Sequence, residues 1–199
     1  MRERVVIAVV NRKGGVGKTT TSAFLTAALH EVGRHVTGID LEPKKSWLRL
    51  KHAGAAIPYE VLDGDRDNLT RQVSGLEGDV VIDTPGNDEA VVMLASMVAD
   101  EVIIPSKYSE IDASRLMETV AGVAQVERAR GKPLASVLAN EVRSNLIVAR
   151  ELRDELMERE IPVLDAYIPL RTAYQTFAKP PTREDLAPYE AVLKELEVI

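Results

Sequence analysis

The stretch Val5 to Thr21, VVIAVVNRKGGVGKTTT, constrains this chain more than any other. An apolar run from Val5 to Val10 breaks into a Gly-rich turn, which leads into Lys18-Thr19-Thr20 and the start of a helix. Gly14, Gly15 and Gly17 can take backbone angles that a Cβ would forbid, so their N–H groups can converge on an anion. The helix that follows adds unpaired N–H groups and the positive end of its dipole. The expected guest is a phosphate chain held along Lys13, Gly14, Gly15, Val16, Gly17, Lys18, Thr19 and Thr20. Lys18 is placed to reach the β- and γ-phosphates, and the Thr19 hydroxyl to ligate Mg²⁺. The alternative is a tight strand-to-helix turn that is merely rich in glycine.

The chain then alternates short apolar strands with helical patterns. A helix from Lys18 to about Val32 carries Phe24, Leu25, Ala28 and Leu29 as its apolar stripe and stops at Gly33. His35 to Asp40 is a buried strand ending in a carboxylate, which closes a βαβ unit and predicts a parallel sheet. Ligands of such sheets sit at the carboxyl ends of the strands, so Asp40 is expected beside the Gly-rich loop. Its alternative is to cap the next helix. Lys44 and Lys45 read as a solvated helix start with Trp47 half-buried. Ile57 to Leu62 reads as a strand, Asp67 to Val73 as a polar helix, and Asp79 to Asp83 as an apolar strand leading into Thr84-Pro85-Gly86. Helices are expected over Glu89 to Val98, Asp112 to Arg130, Leu146 to Glu160 and Asp185 to Val198. Further strands are expected over Glu101 to Pro105 and Leu134 to Ala139. The predicted class is α/β: a doubly wound, mostly parallel sheet with helices on both faces, in one domain.

Composition narrows the partners. The 199 residues contain no cysteine, which excludes disulfides, Fe–S clusters and thiolate metal sites. No apolar run approaches the ~18 residues of a membrane span, and none suits a signal peptide, so the expected location is the cytoplasm. The net charge of −6 excludes a globally basic nucleic-acid binder; any DNA contact needs a local patch.

The loop departs from the strict P-loop pattern, because Arg12 stands where G-x-x-x-x-G-K-[ST] needs glycine. Lys13-Gly14-Gly15-Val16-Gly17-Lys18-Thr19 instead resembles the deviant Walker A motif of the ParA/MinD family of ATPases. Asp40-Leu41-Glu42-Pro43 resembles that family's Walker A′ stretch, with Glu in place of the usual second Asp and a Lys pair where Gln is usual. Asp79 to Gly86 resembles its Walker B strand and switch II loop. The resemblance implies ATP, ADP and Mg²⁺ as cofactors and an ATP-bound homodimer in which Lys13 reaches the partner's nucleotide. It places Thr19, Asp40 and Asp83 around the metal, and the Gly86 N–H near the γ-phosphate. Glu42 would orient the attacking water, with slow turnover, since a misplacement of ~1 Å can cost ~10² in rate. Asn140 would touch the adenine, or else be a turn-favouring residue at a strand end. The segment Ile168, Pro169 and Arg171 would border the base. Ser106, Ser109 and Asp112 would lie near the dimer interface, or cap the next helix. Phe177 to Pro181 lacks the glycine usual in the family there.

The short ParA type fits best. It implies plasmid or chromosome partition: an ATP dimer that binds DNA without sequence preference on the nucleoid, and a centromere-binding, ParB- or ParG-like partner that stimulates hydrolysis. The expected DNA surface draws on Arg143, Arg150, Arg153, Arg159, Lys179 and Arg183; the alternative is a helix salt-bridged to its own acids. Nitrogenase-type iron proteins and Fe–S scaffold ATPases are excluded by the missing cysteines, and tyrosine kinases by the absence of a tyrosine-rich tail. MinD-like membrane targeting is excluded too: from Arg183 onward the basic residues are Arg183 and Lys194, against five acids. ParA-like positioning of another cargo and a dethiobiotin-synthetase-like ligase remain open.

Overall fold

The computed structural model describes residues 3–107, 113–132, 134–142, 146–175 and 180–199. In chain order the elements are β1 (Val6–Val9), α1 (Lys18–Glu31), β2 (Val36–Asp40), α2 (Ser46–His52), β3 (Glu60–Asp63), α3 (Leu69–Ser74), β4 (Asp79–Asp83), α4 (Glu89–Val98) and β5 (Glu101–Ser106). They continue with α5 (Ala113–Arg130), β6 (Ala135–Val142), α6 (Leu146–Glu158), β7 (Val163–Pro169), a 3-10 turn (Thr172–Gln175) and α7 (Arg183–Glu195). The strands form one seven-stranded sheet in the order β3-β2-β4-β1-β5-β6-β7, and every described pairing is parallel.

The apolar strands are buried on both faces, as a parallel sheet covered by crossover helices requires. Alternate residues divide between two cores. Val5, Ile7 and Val9 pack with Phe24, Leu25 and Leu29 of α1, Trp47 of α2, and Leu186, Tyr189, Val192 and Leu193 of α7. Val6, Ala8 and Val10 pack with Leu69 of α3, Val91 and Val92 of α4, Leu116 and Val123 of α5, and Leu156 of α6.

Register sets the position of the acids. Asp40 pairs with Asp83 across β2 and β4, and Asp83 pairs with Val9 of β1. The carboxyl ends of three neighbouring strands thus lie level, where β1 passes into the Gly-rich loop. At the amino ends of these strands, Asp79 accepts from the Val5 N–H at 2.9 Å and forms a two-pronged ion pair with Arg34.

Several boundaries shift. The strand expected from Ile57 begins only at Glu60. The last helix starts at Arg183, because Thr182 and Asp185 form a reciprocal capping box. Trp47 is fully buried rather than half-buried. Its ring lies on Gly38, where an added Cβ would come within 2.4 Å of the indole. Gly38→Ala should therefore cost about 1–3 kcal/mol in thermal or urea unfolding, the usual cost of overpacking a core.

Candidate functional site

The loop is built as the glycine pattern requires. Gly15 and Gly17 take φ values of 76° and 92°, and Gly17 is the residue that leads into α1. Asn11, buried just beyond β1, ties the start of the loop to β5. Its Nδ2 donates to the Pro105 carbonyl at 2.9 Å, and its Oδ1 accepts the Lys13 N–H at 2.8 Å. Lys18 folds back over the loop, its Nζ donating to the Lys13 carbonyl at 2.9 Å. Burial lowers the Lys18 pKa, against the attraction of Asp83 and Glu42. A buried ammonium poised on a single carbonyl is well suited to exchange that acceptor for a phosphate oxygen.

Thr19 and Ser22 stand three apart on α1 and share a face. Both reach Asp83: Thr19 Oγ1 at 2.7 Å and Ser22 Oγ at 3.2 Å. Asp83 is fully buried. Burial pushes its carboxyl up to about 7, with Asp40 adding to the rise and Thr19, Lys18 and Ser22 opposing it. A buried carboxylate beside a hydroxyl on the phosphate side is a suitable seat for a divalent cation, whose charge would relieve this penalty. Among the described residues no cluster of three His, Cys, Asp or Glu is placed to hold a metal. The donor set that fits is therefore Thr19, Asp83 and oxygens brought by a phosphate ligand and water, as is usual for Mg²⁺.

Asp40 is buried beside Asp83 and serves as a cap. Its Oδ1 accepts from the Glu42 N–H at 3.0 Å, and its Oδ2 from the N–H groups of Trp47 at 3.0 Å and Leu48 at 3.1 Å. The capping alternative is thus realised. Each carboxylate oxygen accepts two bonds, so capping leaves room for a metal's water. Glu42 is half-buried and accepts from Ser46 Oγ at 2.9 Å. The turn after β4 lies against the loop: a Cβ on Gly86 would stand 3.2 Å from Gly14, and the Asn87 N–H donates to the Arg12 carbonyl at 2.8 Å.

Residues 7–179 match the CobQ/CobB/MinD/ParA nucleotide binding domain. The chain belongs to this family. The carboxysome distribution protein A of Gloeobacter kilaueensis is 32% identical over 178 residues, covering 87% of this chain and 80% of that one. Protein ParA of Rhizobium radiobacter is 26% identical, covering 85% and 80% respectively. Among solved structures, the ATP complex of a Cyanothece McdA variant superposes with a TM-score of 0.78 at 15% identity, covering 100% of this chain and 98% of that one. The cobyrinic acid a,c-diamide synthase of Mycobacterium smegmatis, with an ATP analogue and magnesium bound, superposes at 0.76 and 22%, covering 98% and 96%. These two likenesses concern the fold.

The remaining residues of this ParA/MinD-family chain divide. Asn140, near the carboxyl end of β6, donates from Nδ2 to the Val16 carbonyl at 2.7 Å, so it ties β6 to the Gly-rich loop. Pro169 ends β7, and Arg171 is tied to the start of α7 through the Glu184 carbonyl at 3.0 Å and Asp185 at 3.7 Å. Ser106 is buried at the end of β5, whereas Ser109 and Asp112 lie outside the described residues. So do Arg143 and Lys179. Arg159 pairs with Glu155 of its own helix at 2.7 Å, which is the salt-bridged alternative, whereas Arg153 pairs with Asp165 of β7. Arg150 and Arg183 are exposed. Asn11 and Ser22 are site residues that local sequence reading missed. Their signals are a polar residue closing an apolar strand, and a hydroxyl one helical turn beyond Thr19. No helix among the described residues is long and apolar enough to cross a membrane.

Proposed function

We propose that this chain is a Mg²⁺-dependent ATPase of the ParA type, which dimerises on ATP, binds DNA without sequence preference and is discharged by a partner protein. The observation that carries the reading is the pairing of an intact phosphate cradle, Gly14 to Thr20, with a second lysine, Lys13. The Lys13 N–H is fixed by Asn11 and its carbonyl by Lys18. In this reading Lys18 holds the phosphates, Thr19 and Asp83 hold the metal, Asp40 orders its waters, and Glu42 orients the attacking water. The metal supplies charge neutralisation at the phosphates. Gly86 approaches the γ-phosphate, while Asn140, Pro169 and Arg171 border the base.

The cargo is a plasmid, a chromosome or another large body. The similarity to the Gloeobacter carboxysome distribution protein favours keeping the last in view. An amide- or ring-forming ligase, the small-molecule alternative, would need its acceptor substrate for turnover.

Sedimentation with a slowly hydrolysed ATP analogue tests dimerisation: the mass should double with nucleotide. Lys13→Ala should bind ATP yet hydrolyse it poorly. Glu42→Ala should trap the ATP dimer with turnover lowered about 10², whereas Glu42→Asp should retain or raise it. An unchanged mass with nucleotide refutes the dimer. Hydrolysis that appears only with a small-molecule acceptor supports the ligase.

A further inference from the structure

The segment from Pro43 to Tyr59 carries four of the chain's 25 lysines and arginines and none of its 31 acids, in a protein of net charge −6. It contains α2, which hangs on the nucleotide site: Asp40 caps it through Trp47 and Leu48, and Ser46 donates to Glu42. Two of its cations are already used. Lys45 pairs with Asp63 at 2.5 Å, and Lys51 donates to the Tyr59 carbonyl. Lys44, Arg49 and His52 are exposed, and none has an acidic partner among the described residues.

We infer that Lys44, in the turn before α2, and Arg49, on α2, form the surface that contacts the phosphate backbone of duplex DNA. This deepens the DNA-binding reading above and rests on it. Three observations choose the occupant and the place. Among the described residues, the exposed large apolar side chains, Val32, Met97, Met157, Tyr167 and Leu170, all lie outside this segment. A protein partner would want such an anchor at the centre of its interface; a delocalised polyanion needs only cations. The arginines of α6 are in part committed, Arg153 to Asp165 and Arg159 to Glu155. Finally, α2 is built on Asp40 and Glu42, so a change in their bonding when Mg·ATP binds bears directly on how Lys44 and Arg49 are presented. A dimer presents the pair twice, which makes weak individual contacts add.

The test measures binding of two unrelated duplexes in Mg²⁺ and a slowly hydrolysed ATP analogue, over a range of salt. It compares wild type with Lys44→Glu/Arg49→Glu, Lys44→Gln/Arg49→Gln and Arg150→Glu, with nucleotide affinity by calorimetry as the control for folding. Both α2 side chains are exposed and lack an acidic partner among the described residues, so nucleotide affinity should hold in all four proteins. The reversal pair should lose DNA affinity by more than about tenfold at 0.1 M salt. The glutamine pair should lower the salt slope by about 2 per protomer, close to 0.9 for each phosphate contact removed. Arg150→Glu should stay near wild type. If both α2 variants keep wild-type affinity and slope, α2 is not the surface, although DNA binding stands. If wild type never binds DNA with nucleotide, the inference and the DNA reading fall together. If a polyglutamate peptide binds α2 as well as the duplexes do, the occupant is an acidic protein segment and the DNA assignment is overturned.

Discussion

Lys18→Ala is expected to weaken nucleotide binding severely, with affinity falling by about 30-fold to several thousand-fold. That range corresponds to the roughly 2–5 kcal/mol typical of truncating one partner of a buried charge pair. Lys18 is 7% exposed, and its ammonium sits over the loop on one backbone carbonyl. A phosphate taking that place gains a desolvated cation whose attraction water barely screens. The substitution leaves the glycine backbone intact, so folding should be little changed, and thermal unfolding without nucleotide serves as the control. Calorimetry with ATP and Mg²⁺ measures the loss. Wild-type affinity in Lys18→Ala would remove the loop from the role assigned to it.

Asp83→Asn should act in opposite directions on the empty and the loaded protein. Without ligand, Asp83 is a buried carboxylate whose pKa is pushed up to about 7, mainly by burial. In the unfolded chain it titrates near about 3.9. Between those values the folded protein binds more protons than the unfolded one, so this residue makes stability fall as pH rises from about 4 to about 7. Asparagine cannot ionise. Its oxygen accepts from one of the Thr19 and Ser22 hydroxyls, its NH2 can donate to the other, and it removes a penalty of up to about 4 kcal/mol at pH 8. The variant should therefore unfold at a higher temperature than wild type at pH 8, with the gap closing toward pH 4. With Mg·ATP the order should reverse, because the carboxylate that seats the metal is gone and the ligand no longer stabilises the fold by mass action. Equal stabilisation of both proteins by Mg·ATP would place the metal elsewhere.

Much of this is legible residue by residue. The glycines at 14, 15 and 17 announce a loop that only a strand-to-helix junction can carry, and the two needing left-handed backbone, Gly15 and Gly17, are where the chain turns. The alternation of short apolar runs with helices announces a parallel sheet. Asp40 and Asp83 stand out as candidate site residues because each carboxylate closes an apolar strand at the end where ligands of parallel sheets sit. The roles taken up in the nucleotide-free fold are harder to read. Asp40 caps α2 through backbone N–H groups seven and eight residues on, and Asn140 supports a loop 124 residues away. Trp47 reads as half-exposed beside two lysines, yet a glycine on β2 opens the space that buries it. Arg153 reads as paired with acids on its own helix, whereas its partner, Asp165, is on β7.

The sequence by itself determined the order of the elements other than β7, the Gly-rich loop and the acids that end its neighbouring strands, because each depends on local backbone freedom and local hydrophobic period. The tertiary structure alone decided the strand order β3-β2-β4-β1-β5-β6-β7, and with it the register that sets Asp40 beside Asp83. Strands buried on both faces are apolar throughout, so nothing in their pattern says which strand lies beside which. That choice belongs to the helices packed on the two faces, and it brings two carboxylates from distant parts of the chain to the lysine and the hydroxyl that follow one loop.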